Sequence, residues 1–312
     1  MRAAAIPGQS RGMTQVAVLT PDPSDPSYAG QWPGVLERLA EALSLAGVTV
    51  APTPWTEHVS DAGALTRFPL VLPLIVWGYH RDHDRWMQAC ATWAEAGLTM
   101  LNPPAVLGWN SDKSYLGRLA DNGIAIPDTI WIDSPTQADV DAAFDRFGAD
   151  QLVVKPRVSG GAWKTLRLSR GDALTDAPEG PAMIQPYLPT IETEGETSLL
   201  FFGGKLSHVV NKRPVPGEFR VQVQYGGGYT ALPEPPAGAL ALAEATLAAI
   251  GEDLLYARID MAPDADGGWL LMEAELIEPD FYLGSAPEGG RNFAEAVRAR
   301  LLAVGCWLVA GD

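Results

Sequence analysis

From Met13 onward the chain alternates short apolar runs with stretches whose apolar residues recur every three or four positions. Residues 15–20, apolar from Val16 to Leu19, predict a buried strand, followed by a Pro/Asp/Ser-rich loop at 21–26. Val35, Leu36, Leu39, Ala42 and Leu43 lie at helical spacing, and Gly47 is placed to end that helix. Residues 48–51 and 70–76 predict two further strands, and 84–96 a second helix. This strand–helix–strand rhythm predicts a parallel, doubly wound α/β body over 13–104, closed by a turn at Asn102, Pro103 and Pro104.

The pattern then changes. Residues 111–122 predict a helix ending at Gly123, and Ile130 and Trp131 open a strand. Residues 152–156 predict a strand that runs into the small-residue loop 159–165, and 166–168 return from it as a hairpin. Another short run spans 184–187. Residues 197–202 and 205–211 flank Gly203 and Gly204, a strong antiparallel hairpin signal. An Ala/Leu-rich helix is expected at 240–250, strands at 256–261 and 269–274 around a turn at 264–268, and a closing helix at 293–308. The expected organisation is α/β followed by α+β, with bodies at 13–104, 105–187 and 188–312 and a disordered extension at 1–12.

Composition narrows the function classes. The 312 residues carry 22 Lys+Arg against 38 Asp+Glu, a formal net charge of −16, which leaves no basic patch large enough for a nucleic-acid backbone. A small anionic ligand needs only a few local cations and stays open. With 47% hydrophobic and 19% charged residues, wholesale disorder is excluded. Two cysteines, Cys90 and Cys306, are too few for a disulfide scaffold or a cysteine zinc site. The longest apolar stretch, 70–77, is interrupted by Pro73 and falls far short of the ~20 residues that span a bilayer. Residues 1–12 have no apolar core of a secretion signal. A soluble, cytoplasmic protein with no membrane partner is expected.

Four features carry candidate chemistry. Lys113 and Lys155 stand in unlike settings, and Lys155, at the end of a buried-type strand, needs an anion nearby unless it snorkels to solvent. The loop containing Ser159, Gly160 and Gly161 can turn backbone N–H groups toward an anion, although alone it reads equally as a plain turn. Gln185, Tyr187 and Leu188 leave a strand at Pro186, where free backbone groups could read an adenine edge. Of the following Glu192, Glu194 and Glu196, one could take a ribose hydroxyl; the other reading is an acidic surface loop. Last, Asp260 lies on one late strand and Glu273 and Glu275, two apart and so on one face, on the next. Three converging carboxylates make sense around magnesium bridging phosphates, or as a solvated acidic face.

In this order the four features resemble the ATP-grasp superfamily, and within it glutathione synthetase and its relatives. Lys212, Arg220 and Gln222, ahead of Gly226 and Gly227, look like that family's Arg-x-Pro…Glu-x-Arg-x-Asn…Gly-Gly stretch. Asp260, Glu273 and Glu275 look like its Asp…Glu-x-Asn metal set. The surroundings of Trp109, Lys113 and Leu116, and of Glu273 through Glu278 and Pro279, most resemble the cycloserine-forming ligase and its relatives. Those relatives carry an Arg-Ser-Thr-Trp-Asp-Tyr-His run where this chain keeps Trp77, Tyr79 and His80 but has neither the arginine nor the aspartate.

The resemblance implies an ATP-grasp fold with an N-terminal pre-ATP-grasp domain and two ATP-binding lobes. It implies ATP and two Mg²⁺ ions as cofactors, with small-molecule carboxylate and amine substrates joined through an acyl phosphate, and homodimerisation as in such relatives. Lys113, Lys155, Ser159, Gly160, Gly161, Gln185, Tyr187, Leu188 and Glu196 would bind the nucleotide. Asp260, Glu273 and Glu275 would hold metal, and Arg220 with Lys212 would stabilise the acyl phosphate. The rivals are a small-molecule kinase of the same fold and a non-catalytic nucleotide-binding regulatory protein. Tyr79 and His80 are candidate acceptor contacts. His80 and His83 with interleaved aspartates read more simply as a loop whose Asp82 or Asp84 caps the next helix. Trp86, Cys90 and Trp93 fit a buried helix stripe, and His208 on a hairpin strand carries no role.

Overall fold

The computed structural model describes residues 13–305; the expectations for 1–12 and for the last residues of the closing helix lie outside them. β1 (Thr14–Thr20) pairs in parallel with β2 (Val48–Pro54) and β3 (Val71–Leu72) in the order β2-β1-β3. Alternation along β1 sends Val16 and Val18 toward α1 (Trp32–Ser44), and Ala17 and Leu19 toward α2 (His83–Glu95). Trp86, Cys90 and Trp93 are the buried stripe of α2, and Asp82 caps it by accepting from Arg85 N. The third strand is far shorter than 70–76 because Pro73 has no N–H to donate. Backbone bonds from Ala17 N to Leu70 O and from Ile75 N to Leu19 O hold the segment beside β1 on both sides of the proline.

The expected helix at 111–122 is corrected to two short ones, α3 (Pro104–Asn110) and α4 (Tyr115–Asp121). Pro104 starts a helix rather than closing a turn, since its fixed φ suits the first helical position. The break falls at Asp112, which accepts from Ser114 N and forks onto Arg157 at 2.9 and 2.7 Å, while Lys113 N bonds to Arg157 O.

β4 (Ile130–Ile132) leads to α5 (Gln137–Phe147), an element the apolar pattern did not single out. Thr136 and Asp139 form a reciprocal capping box at its start. β5 (Gln151–Pro156), β6 (Leu166–Ser169) and β7 (Ala182–Pro186) complete an antiparallel sheet ordered β4-β7-β5-β6, with α5 packed on it. After α6 (Thr190–Thr193) come β8 (Glu196–Phe202), β9 (Lys205–Arg213), the unforeseen β10 (Gly228–Leu232), α7 (Ala239–Ile250), β11 (Tyr256–Pro263) and β12 (Trp269–Glu275). These five strands form an antiparallel sheet ordered β10-β9-β8-β11-β12. α8 (Arg291–Ala303) closes the chain, and its Phe293, Val297 and Leu301 share a core with α1, β1 and the large sheet.

Buried amides fasten these layers. Asn102, fully buried, donates to Tyr256 O and Leu276 O at 2.9 and 2.7 Å and accepts from Leu255 N at 2.9 Å. Asn110 pairs with Ala274 O and Leu276 N, and the Tyr115 hydroxyl with Ala274 O and N. The outer edge of β12 is thereby capped by side chains on both sides of Lys113, which sets that lysine against the strand. Replacing Asn102 with alanine leaves buried N–H and C=O groups unpaired. It is expected to cost about 3 kcal/mol, read as a lower denaturant midpoint; an unchanged midpoint would contradict the fastening role.

Candidate active site

A cavity of about 630 Å³ lies where the parallel sheet, the four-stranded sheet and the five-stranded sheet meet. Its lining includes the residues expected to bind nucleotide, metal and acyl phosphate: Lys113, Lys155, Ser159, Gly160, Gly161, Gln185, Tyr187, Leu188, Glu196, Lys212, Arg220, Asp260, Glu273 and Glu275. Residues distant in sequence converge because β5, β7, β8, β9, β11 and β12 each turn a face toward it.

On the large sheet the charges alternate across strands. Register places Glu196 opposite Lys212, Asp260 opposite Ser198 and Glu273, and Arg258 opposite Glu275. Lys212, 3% exposed, is held between Glu196 and Asp260, the latter at 3.2 Å. Arg258 forks onto Asp260 at 3.0–3.1 Å and also pairs with Glu275. Lys113 ends the row on Glu273 at 2.9 Å, and its ammonium also reaches Ser159 O at 3.3 Å. Burial alone would raise the Asp260 carboxyl, but Arg258 and Lys212 outweigh it and hold it at about 2. Burial lifts Glu275 to about 7 despite Arg258, and raises Glu196 as well. Glu273 is lowered because Lys113 overcomes its burial.

Lys155 differs from these cations. Among the described residues no carboxylate lies within ion-pair distance of it, and burial, with Lys113 nearby, brings its ammonium down to about 8. Gly160 approaches His80 so closely that a Cβ there would stand 3.1 Å from the imidazole Nδ1, and the ring would have to give by a few tenths of an ångström to admit a side chain. Gly161, at φ +59°, faces Gln224 on the other side. Val153, Tyr187, Leu188, Ile191, Phe219 and Met272 give the cavity an apolar wall beside Lys155.

Several expectations are corrected in detail. The Tyr187 N–H is not free for a ligand, because it donates to Gln151 O at 2.9 Å, and the Tyr187 hydroxyl bonds to Glu192. The Gln185 side chain is buried and donates to Thr129. Lys212 is a buried counter-charge rather than an open cation. Arg220 faces the cavity but is forked onto Glu218 at 3.0 and 2.7 Å and lies 3.6 Å over the Tyr225 ring. No group of three or more His, Cys, Asp or Glu among the described residues is arranged to hold a metal. Asp260, the third carboxylate of the expected set, stands opposite Glu273 and is engaged here by Arg258, Lys212 and Ser198. Glu273 and Glu275 remain partly exposed, at 35% and 23%. That donor pair fits magnesium, which takes few protein carboxylates and completes its shell with phosphate oxygens and water.

Arg258 was missed from sequence, although Arg258 and Asp260, two apart on one strand, were legible as a same-face pair. Tyr28, Gln31 and Tyr282, also on the lining, sit in loops without any pattern to mark them. Among the described residues no helix is long and apolar enough to cross a membrane.

A parallel sheet joined to two antiparallel sheets around such a cavity is the ATP-grasp arrangement, and the homologues and structural neighbours of the chain are ligases of the carbon–nitrogen bond-forming class. Within that class the chain is close to cycloserine biosynthesis protein DcsG. Residues 16–102 match the family described as D-cycloserine synthetase DcsG, N-terminal domain. DcsG of Streptomyces lavendulae is 28% identical over 84% of this chain and 92% of its own length. A glutathione synthetase of Prochlorococcus marinus (strain MIT 9313) is 29% identical over 65% of each. The crystal structure of D-cycloserine synthetase DcsG superposes with a TM-score of 0.75 at 25% identity, covering 92% of this chain and 99% of that one. D-alanine–D-alanine ligase from Bacillus anthracis complexed with ATP shares the fold at a TM-score of 0.69 and 18% identity, over 94% and 99%.

Arg258→Met would leave the buried Asp260 and the half-buried Glu275 without a main counter-charge. It is expected to destabilise the chain by about 3–5 kcal/mol, measured by chemical denaturation; a loss below the error of that measurement would show that the row does not depend on Arg258.

Proposed function

We propose that the protein joins a small-molecule carboxylate to an amine at the expense of ATP, through an acyl phosphate, releasing ADP and phosphate. The observation that carries this reading is Lys155, a half-buried ammonium with no carboxylate within ion-pair distance among the described residues, which shares the cavity lining with the glycine loop and with an interleaved row of cations and carboxylates. In this reading residues 13–104, 105–187 and 188–312 act as three bodies around one nucleotide. The apolar wall of Tyr187, Leu188 and Met272 takes the base, Glu196 lies toward the ribose, and Lys113 and Lys155 hold phosphates. The loop at Ser159, Gly160 and Gly161 covers them and excludes water, which protects an acyl phosphate from hydrolysis.

Glu273 and Glu275 would hold Mg²⁺, which neutralises phosphate charge when bound. Arg258, and Arg220 from the opposing loop, supply fixed positive charge where the oxyanion develops when the amine attacks. Asp260 and Lys212 keep Arg258 and Glu196 in place. No side-chain nucleophile is required.

Lys155→Ala and Glu273→Ala are each expected to abolish ADP release, measured over a panel of amino acids and small amino-oxy or ureido acids. Hydroxylamine should trap a hydroxamate from the wild-type chain. Turnover without hydroxamate would favour phosphate transfer to an alcohol, and near-normal turnover of either variant would overturn the assignment. Because the Lys155 ammonium is held near 8, it loses its charge as pH rises through that value. ATP affinity is therefore expected to weaken as pH rises above 8; affinity that is unchanged from pH 8 to pH 9.5 would contradict the role of Lys155.

A further inference from the structure

Three buried side-chain atoms among the described residues have no hydrogen-bond partner: His80 Nδ1, Gln222 Oε1 and Glu278 Oε2. All three residues line the cavity. An unpaired buried polar atom costs about 1–3 kcal/mol, so their confinement to one cavity marks groups aimed at a ligand. Glu278 is the charged member. It stands on the segment leaving β12, where its charge is felt by the Tyr28 and Tyr79 hydroxyls of the first body.

Among the described residues no cation is within ion-pair distance of Glu278, and most cavity cations are matched elsewhere. Arg258 serves Asp260 and Glu275, Lys113 serves Glu273, and Arg81 pairs with Asp25 at 3.0 Å. Burial and the like charge of Glu275 push the Glu278 carboxyl well above its usual range, so its anion needs a positive partner. The walls at this end are aromatic: Tyr28 and Trp77 have ring centroids 5.6 Å apart, and Tyr79 packs beside His80 at 5.8 Å. Aromatic faces attract cations.

We propose that Glu278, walled by Tyr28, Trp77 and Tyr79, is the subsite for a primary ammonium group of the small-molecule substrate, distinct from the amine that reacts. A reacting amine must shed its proton to attack, whereas a carboxylate without a protein cation stabilises the protonated form. The inference rests on the ligation reading for the neighbouring carboxylate of that substrate, and it assigns Glu278 to substrate selection rather than to phosphate chemistry.

The test is thermal unfolding of the full chain without nucleotide. The additives are both enantiomers of alanine and serine, set against lactate and glycerate, which carry a hydroxyl in place of the ammonium. At least one amino acid is expected to raise Tm by about 5 °C at about a hundredfold excess over its Kd, and its hydroxy acid is not. Glu278→Gln should abolish that shift while keeping the shift given by MgATP, and Glu278→Asp should retain part of it. If Glu278→Gln melts early, Tyr28→Leu on the facing wall should show a reduced amino-acid shift instead. Equal shifts from the amino and hydroxy acids, an undiminished shift in Glu278→Gln, or no shift from any amino acid would overturn the proposal. The amine arm needs no nucleotide, so absence of the MgATP shift counts against the ligation reading alone.

Discussion

The interleaved charge row on the five-stranded sheet is the constraint around which the rest of the molecule is arranged. On that sheet Lys212 and Arg258 face Glu196, Asp260 and Glu275, and Lys113 reaches Glu273 from the break between α3 and α4, all inside one cavity. Either set alone would be too costly to bury, because unpaired charges lose their hydration without compensation. Alternation across antiparallel strands solves this: direct cross-strand neighbours share a face, so register alone brings opposite signs together. The row therefore fixes the pairing of β8, β9, β11 and β12 as firmly as the apolar core beneath it, and a one-residue slip would turn the charges into that core.

The same row explains why a polyanion with a divalent cation suits the cavity. Glu273 and Glu275 are engaged by single cations and stay partly exposed, whereas Asp260 is locked from several sides. Binding phosphates would let Lys113 exchange a carboxylate for a phosphate oxygen, freeing Glu273 for a metal, with Asp260 and Lys212 as the fixed frame. Such a site is oriented before its ligand arrives, which lowers the reorganisation needed when charge moves. Positioning comes from further away. Asn102, Asn110 and Tyr115 fasten the helical break to the edge of β12, and the fork between Asp112 and Arg157 aims Lys113 across at Glu273.

Much of this was legible in the sequence because it rests on local pattern. Short apolar runs marked most strands, paired glycines marked the β8–β9 hairpin, and Glu273 and Glu275 declared a shared face. What escaped did so for physical reasons. β10 is an edge strand with little buried on either face, so it has no apolar alternation. α5 announces itself through a capping box rather than a long apolar stripe. The break between α3 and α4 depends on Arg157, more than forty residues away. The commitment of Asp260 to Arg258 and Lys212 is a tertiary fact; spacing gave the carboxylates but not their counter-ions. Tyr28 lies in a Pro/Asp/Ser-rich loop that only the fold brings to the cavity.

The central claim is that the mid-chain lysines and the late-strand carboxylates meet around a single triphosphate. A crystal structure of the chain with Mg²⁺ and a non-hydrolysable ATP analogue addresses it most directly. The account predicts phosphate oxygens on the Lys113 and Lys155 ammonium groups, and the metal between those oxygens and Glu273 with Glu275. Phosphates bound outside the cavity, with the Lys113–Glu273 pair intact and Lys155 still without an anion, would contradict it.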